Sequence, residues 1–247
     1  MTISKRDWDN YVNKLAAIDQ KAAAAMQRYI ALNGYSNPEG VVRYAYLIST
    51  KYGEAAATLA CEMYDATALA QGIALPPAVP ANTATIAETN AAIRGAILTS
   101  AKLISPTVAR LVKQAAADTA LRNAARDNAE WAWIPHGNET CAFCITLASR
   151  GWQEASRSLR YSHAAHIHAN CQCQFSVRFD GKSTIEGYDP QKYKDMYYGR
   201  DQYGKNGPID DDIIEAVEDE WGGAPEAKQN MIALRRQLAR NQKRRLN

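Results

Sequence analysis

No apolar run in the 247-residue chain approaches the roughly 20 residues needed to cross a bilayer, and its start, Met1-Thr-Ile-Ser-Lys-Arg-Asp7, is too polar for a secretory signal. Function without membrane insertion is the expectation. The usual catalytic signatures are missing as well. There is no His-Glu-x-x-His of zinc proteases and no His-x-Glu partnered with Pro-Cys-x-x-Cys of deaminases. No Gly-x-Ser-x-Gly and no glycine-rich phosphate loop occur. Disorder is excluded too, because 47% of the residues are apolar. The length suits one large domain or two small ones.

Histidine and cysteine are scarce, four and five residues, and they are not spread evenly. All four histidines and four of the cysteines fall between His136 and Cys173. The centre of this window is Cys141-Ala-Phe-Cys144, a gap of 23 residues, then His168-Ala-Asn-Cys171-Gln-Cys173. Two thiolates three positions apart form a knuckle that grips one metal, and a returning segment closes the tetrahedron. Cys141, Cys144, His168, Cys171 and Cys173 compete for four places. The first choice is Cys141, Cys144, His168 and Cys173, with Cys171 nearly as well placed. Four protein donors would make the zinc structural, since a catalytic zinc keeps a position open for water. Disulfides are the alternative use of these cysteines, disfavoured in a chain without an export signal. Spare histidines, His136, His163 and His166, leave an enzyme open, and Ser162-His163-Ala-Ala-His166-Ile-His168-Ala-Asn170 has a loose likeness to a His-Asn-His nuclease. Cys61, among alanines, reads as a small buried hydrophobe.

Around this window the fold class expected is α+β, predominantly α. Trp8, Tyr11, Val12, Leu15, Ala22, Ala25, Met26, Tyr29 and Ile30 recur at helical spacing over residues 4–33, with Ser4 and Asp7 as a capping box and Gly34 as the stop. Asn37-Pro38 opens a second helix that reaches Gln71-Gly72. Residues 75–81, Leu-Pro-Pro-Ala-Val-Pro-Ala, form an extended linker. Two more helices follow, one over 84–103 and one starting at Ser105-Pro106 and ending near Glu130. These residues, 1–130, are the first expected domain. The second, 131–190, is a zinc-stapled module with a strand at 131–135 and another alternating over 175–179.

The last expected part, 191–247, is a tail. Tyr188, Tyr193, Tyr197, Tyr198 and Tyr203 read as exposed or packed aromatics of a partner-binding tail or, alternatively, as a nucleic-acid stacking surface. An acidic block runs from Asp210 to Glu220. After Ala224 come seven Lys or Arg residues and one acidic residue, with Met231, Leu234 and Leu238 on one helical face. Such a basic helix could bind DNA, an acidic partner, or the acidic block itself.

The pattern Cys141-x-x-Cys144-x-x-Leu147, a loop, then His168-x-Asn170-Cys171-x-Cys173 and a strand resembles the Mu F-like phage head morphogenesis proteins. The resemblance covers residues 131–181. Where that family commonly has His-Pro-Asn-Cys-Arg-Cys, this chain carries Ala169 and Gln172, neither a metal donor. The resemblance implies a minor capsid protein of a tailed phage, present in a few copies near the portal and acting in assembly or in DNA packaging or delivery. It implies portal and capsid partners, no membrane, and a passage from host cytoplasm to the virion head. The competing expectation is a maturation enzyme, either a capsid protease or a metal-dependent nuclease.

Overall fold

The computed structural model describes residues 2–137, 140–155, 173–199 and 208–246. The chain divides into two compact units, residues 1–131 with 154–186, and residues 132–153 with 187–247. It is mostly helical with little strand, as the composition and periodicity led us to expect. Among the described residues no helix is long and apolar enough to cross a membrane.

The first unit is built on three long helices, α1 (Lys5–Asn33), α2 (Pro38–Ala70) and α4 (Ile104–Arg126), with the shorter α3 (Ile86–Thr99) beside α2. The caps act as their residue types require. Ser4 Oγ accepts the amide of Asp7, Asn37 Oδ1 accepts that of Gly40, and Thr85 with Glu88 makes a reciprocal capping box. The predicted stripe of α1 is buried from Trp8 to Met26. Helix α4 departs from expectation. It does not begin on Ser105-Pro106; a 3-10 turn over Ala101–Leu103, entered from Ser100, leads into Ile104, and Ser105 is buried inside the first turn. Pro106 fits there because the first turn has no amide bonds to lose. Helix α4 is buried on several faces, through polar residues such as Lys113, Thr119 and Asn123 as well as apolar ones, so its sequence carries no single apolar stripe.

The proline-rich stretch between α2 and α3 is extended, yet it is bound along its length. Asp65 Oδ1 accepts the Ala78 amide at 2.8 Å, and Thr119 Oγ1 accepts the Ala81 amide at 2.9 Å. Asn123 serves Val79 twice, accepting its amide at 2.9 Å and donating to its carbonyl at 2.8 Å. Arg126 donates to the Pro76 and Pro77 carbonyls at 3.1 Å. A Cβ at Gly53 would lie 2.8 Å from the Thr83 methyl, so only glycine allows α2 to approach this closely.

Two short strands tie the start of the chain to this unit. Strand β1 (Thr2–Ile3) pairs in parallel with β5 (Thr184–Ile185), Thr2 opposite Thr184 and Ile3 opposite Ile185. A three-stranded sheet has the order β3 (Gln153–Glu154), β2 (Glu130–Ile134), β4 (Gln174–Arg178). Arg178 forks onto Glu130 at 2.7 and 3.2 Å, and Trp131 meets Phe175 edge to face at 5.0 Å.

Burial raises the Asp19 carboxyl to about 7, with the Lys113 ammonium pulling the other way, and the Tyr11 hydroxyl is raised in turn, mainly by its own burial. A folded-state value above the unfolded one means the folded chain holds a proton that the unfolded chain releases. Stability should therefore fall as pH rises from about 4 to about 7, and level off above that. Asp19→Asn should flatten this fall in urea midpoints measured across the same range. An unchanged pH profile would show that Asp19 titrates alike in both states.

In the second unit the described parts of the segment read as a tail are helical. Helices α6 (Pro190–Tyr198), α7 (Asp211–Trp221) and α8 (Glu226–Leu246) fold onto α5 (Ala142–Ala148). One core joins Ala142 and Ile145 to Ile209, Ile213, Val217, Ala233 and Leu234, with Tyr193, Tyr197 and Trp221 packed against it. The Tyr188 hydroxyl donates to the Ala148 carbonyl at 3.0 Å. The described tyrosines at 188, 193 and 197 are thus packing residues; Tyr203 lies outside the described residues. The apolar face read at Met231, Leu234 and Leu238 is the side of α8 that enters this core, and Ile213 and Val217 of α7 meet it.

Candidate metal centre

Cys141 is the N-cap of α5, in extended conformation at φ −74° and ψ 160°, and its Sγ accepts the amide of Cys144 at 3.4 Å. That contact holds the Cys141 side chain against the first turn of the helix. The Cys141 carbonyl accepts the Ile145 amide at 3.0 Å, which locks the turn into the helix. Ala142 and Ile145 carry this knuckle on the core of the second unit, and Cys144 is only 1% exposed. The local geometry therefore suits the role read from the Cys-x-x-Cys spacing.

Cys173 is buried directly ahead of β4 in the first unit. His168 and Cys171 lie outside the described residues, as do His163 and His166. Among the described residues no group of three His, Cys, Asp or Glu side chains is placed to hold a metal ion. His136 is described, just after β2. Cys61 is half-buried on α2, and burial, followed by the charge of Asp65, raises its thiol. A raised thiol is a poor nucleophile and a poor ligand, in keeping with a packing role.

The other candidate surface, the basic helix α8, is largely taken up within its own unit. Arg240 forks onto Asp212 at 2.7 Å through both terminal nitrogens and reaches Asp210 at 2.9 Å. Arg244 lies 3.3 Å from Asp210, and Arg236 pairs with Glu220. Hydrogen bonds from Asp212 and Asp210 raise the Arg240 guanidinium further, and Arg240 lowers both carboxyls. Lys228 sits 4.2 Å above the Trp221 ring. Eight acidic residues from Asp210 to Glu226 face seven basic ones from Lys228 to Arg245, so the hairpin is nearly self-neutral. The signal in the sequence was the order of charges about Gly222-Gly223: pairs step inward from both ends, as an antiparallel hairpin demands.

Comparison with known families gives one finding. A family model described as VG15 protein matches residues 2–199, about four-fifths of the chain. No curated protein and no solved structure gives a match.

Proposed function

The chain belongs to the VG15 protein family, a phage-related family, and from that premise we propose that it is a minor head protein of a tailed phage that acts in head morphogenesis near the portal. The observation that carries this reading is the single family match over residues 2–199, which takes in the helical unit and the Cys141–Cys173 window together. The likeness of residues 131–181 to Mu F-like head proteins falls inside the same span and supports the finer assignment. The chain would be made in the host cytoplasm and retained in the head, in contact with portal and capsid proteins.

In this reading Cys141, Cys144, His168 and either Cys171 or Cys173 hold one zinc. The zinc supplies a cross-link and no reaction, because four protein donors leave no place for water. Cys141 contributes a sulfur already held by the Cys144 amide, and Cys144 contributes one shielded by the surrounding apolar core. Mass spectrometry of purified virions tests the role. An intact chain at a few copies per particle is expected. A chain absent from the particle, yet required for capsid-protein processing or DNA cleavage, would make it a maturation enzyme instead.

Contact with phage DNA through α8 belongs to the same proposal, in reduced form. Of its seven cations, Arg236, Arg240 and Arg244 are already paired, which leaves at most four for phosphates. The slope of log K against log salt on duplex DNA should then be no steeper than about −4. Asp210→Asn with Asp212→Asn releases Arg240 and Arg244 and should steepen that slope by about two. Deleting α8 is a poor test, since Ala233 and Leu234 belong to the core. A slope insensitive to the paired substitution, or no binding at low salt, would remove DNA from the list of partners.

A further inference from the structure

We propose that residues 76–80 are a preordered polyproline-II ligand, presented by the first unit to an aromatic-lined groove on a partner protein. The segment is buried with a regular period. Leu75 and Ala78 are partly buried and Ala81 is buried, while Pro76, Pro77, Val79 and Pro80 are exposed. Every third residue faces the helices. A strand would bury every second residue and an α-helix every third or fourth, whereas three residues per turn is the polyproline-II repeat.

The backbone bonds agree with that assignment. Asp65, Asn123, Thr119 and Arg126 take the amides of Ala78, Val79 and Ala81 and the carbonyls of Pro76, Pro77 and Val79 from the helix side. Prolines have no amide to satisfy, and both polar groups of Val79 go to Asn123. The outward rows therefore carry rings and a valine side chain 61% exposed. They form two apolar-Pro pairs, Pro76-Pro77 and Val79-Pro80, one turn or roughly 9 Å apart. Pro77 and Pro80 have the P-x-x-P spacing that aromatic grooves read.

A connection alone would not need four side chains to hold it in this form. Fixing the segment in advance removes the ordering entropy that a free proline-rich peptide loses on binding. The ridge carries no charge, so a groove that recognises it must use ring faces rather than ionic groups. Ile73, 37% exposed, lies three residues ahead of the segment, and Leu69, 81% exposed, lies in the last turn of α2 before it.

The test titrates the purified full-length chain against a panel of isotope-labelled SH3 and WW domains, used as surrogate grooves and followed by NMR. At least one should bind the chain about tenfold more tightly than it binds a free peptide of residues 73–83. Pro77→Ala with Pro80→Ala should weaken binding at least tenfold while helicity and melting temperature stay unchanged. Val79→Asp, at an exposed position, gives a second variant that disturbs the ridge without touching the helices. Three results would overturn the proposal: a chain that no probe binds, binding that survives both variants, or self-association that these variants abolish. The last would make a second copy of the chain the occupant.

Discussion

Replacing Cys144 with serine should lower the zinc content of the purified chain from about one ion to near zero. Cys141→Ser and His168→Ala should do the same, and Cys61→Ser should change nothing. The expected effect is large because each thiolate is both a charge and a bond. Structural zinc in finger peptides is worth about 10–16 kcal/mol, as much as the whole stability of an ordinary domain. Chelation should therefore lower the melting temperature of the wild type and leave Cys144→Ser unaffected. Melting alone would mislead, since a serine in place of a cysteine 1% exposed also buries a hydroxyl. Zinc content, read by elemental analysis, separates the two effects. A wild-type chain free of metal, with disulfides mapped among Cys141, Cys144, Cys171 and Cys173, would end the proposal.

Trp131→Ala should cost about 3–5 kcal/mol of stability, the largest loss expected from a single apolar side chain here. Trp131 is 2% exposed and lies edge to face with Phe175 at 5.0 Å and 65°. The truncation leaves a cavity beside strand β4 and removes an aromatic pair worth about another 1 kcal/mol. Trp131→Phe keeps an aromatic ring and should recover more than half of the loss. Urea midpoints at unchanged m-value measure both. A loss under 1 kcal/mol for the alanine variant would mean that the site collapses onto the smaller side chain.

How far the sequence could be read depended on whether a feature was local. Helices α1 and α2 were plain, because Ser4, Asn37-Pro38 and Gly34 punctuate apolar stripes within a few residues of one another. The start of α4 was misplaced because Ser105-Pro106 looks like a cap, while the actual turn is made by Ser100 and a 3-10 segment that has no strong signature. The extended character of residues 75–81 was visible in its prolines. Its anchoring was not, since Asn123, Thr119 and Arg126 lie some forty to fifty residues away. Over residues 210–247 the apolar face at Leu234 and the pairing of the basic helix with the acidic block were both legible as one of several readings. What was not legible is that Ile213 and Val217, set among carboxylates, pack with Leu234 once the opposite charges neutralise each other. At the candidate metal centre the spacing of Cys141 and Cys144 was readable, and the structure adds the amide that points at the Cys141 sulfur.

Both units are assembled from separated pieces of chain, and this sets an order of events during synthesis. Helices α1, α2 and α4 can associate once residue 126 has left the ribosome, but β1 has no partner until Thr184 and Ile185 follow. At about 5–20 residues per second that wait is several seconds or more. Helix α5 waits as well, because Ala142 and Ile145 are covered by residues that extend to Leu234. A recombinant fragment cut at residue 199, where the family match ends, would retain α5 and lose Ile209, Ile213, Val217 and Leu234. Helix α6 would still cover part of α5, but the surface closed by Ile209 to Leu234 would face water, and the fragment should aggregate although every residue of the family match is present.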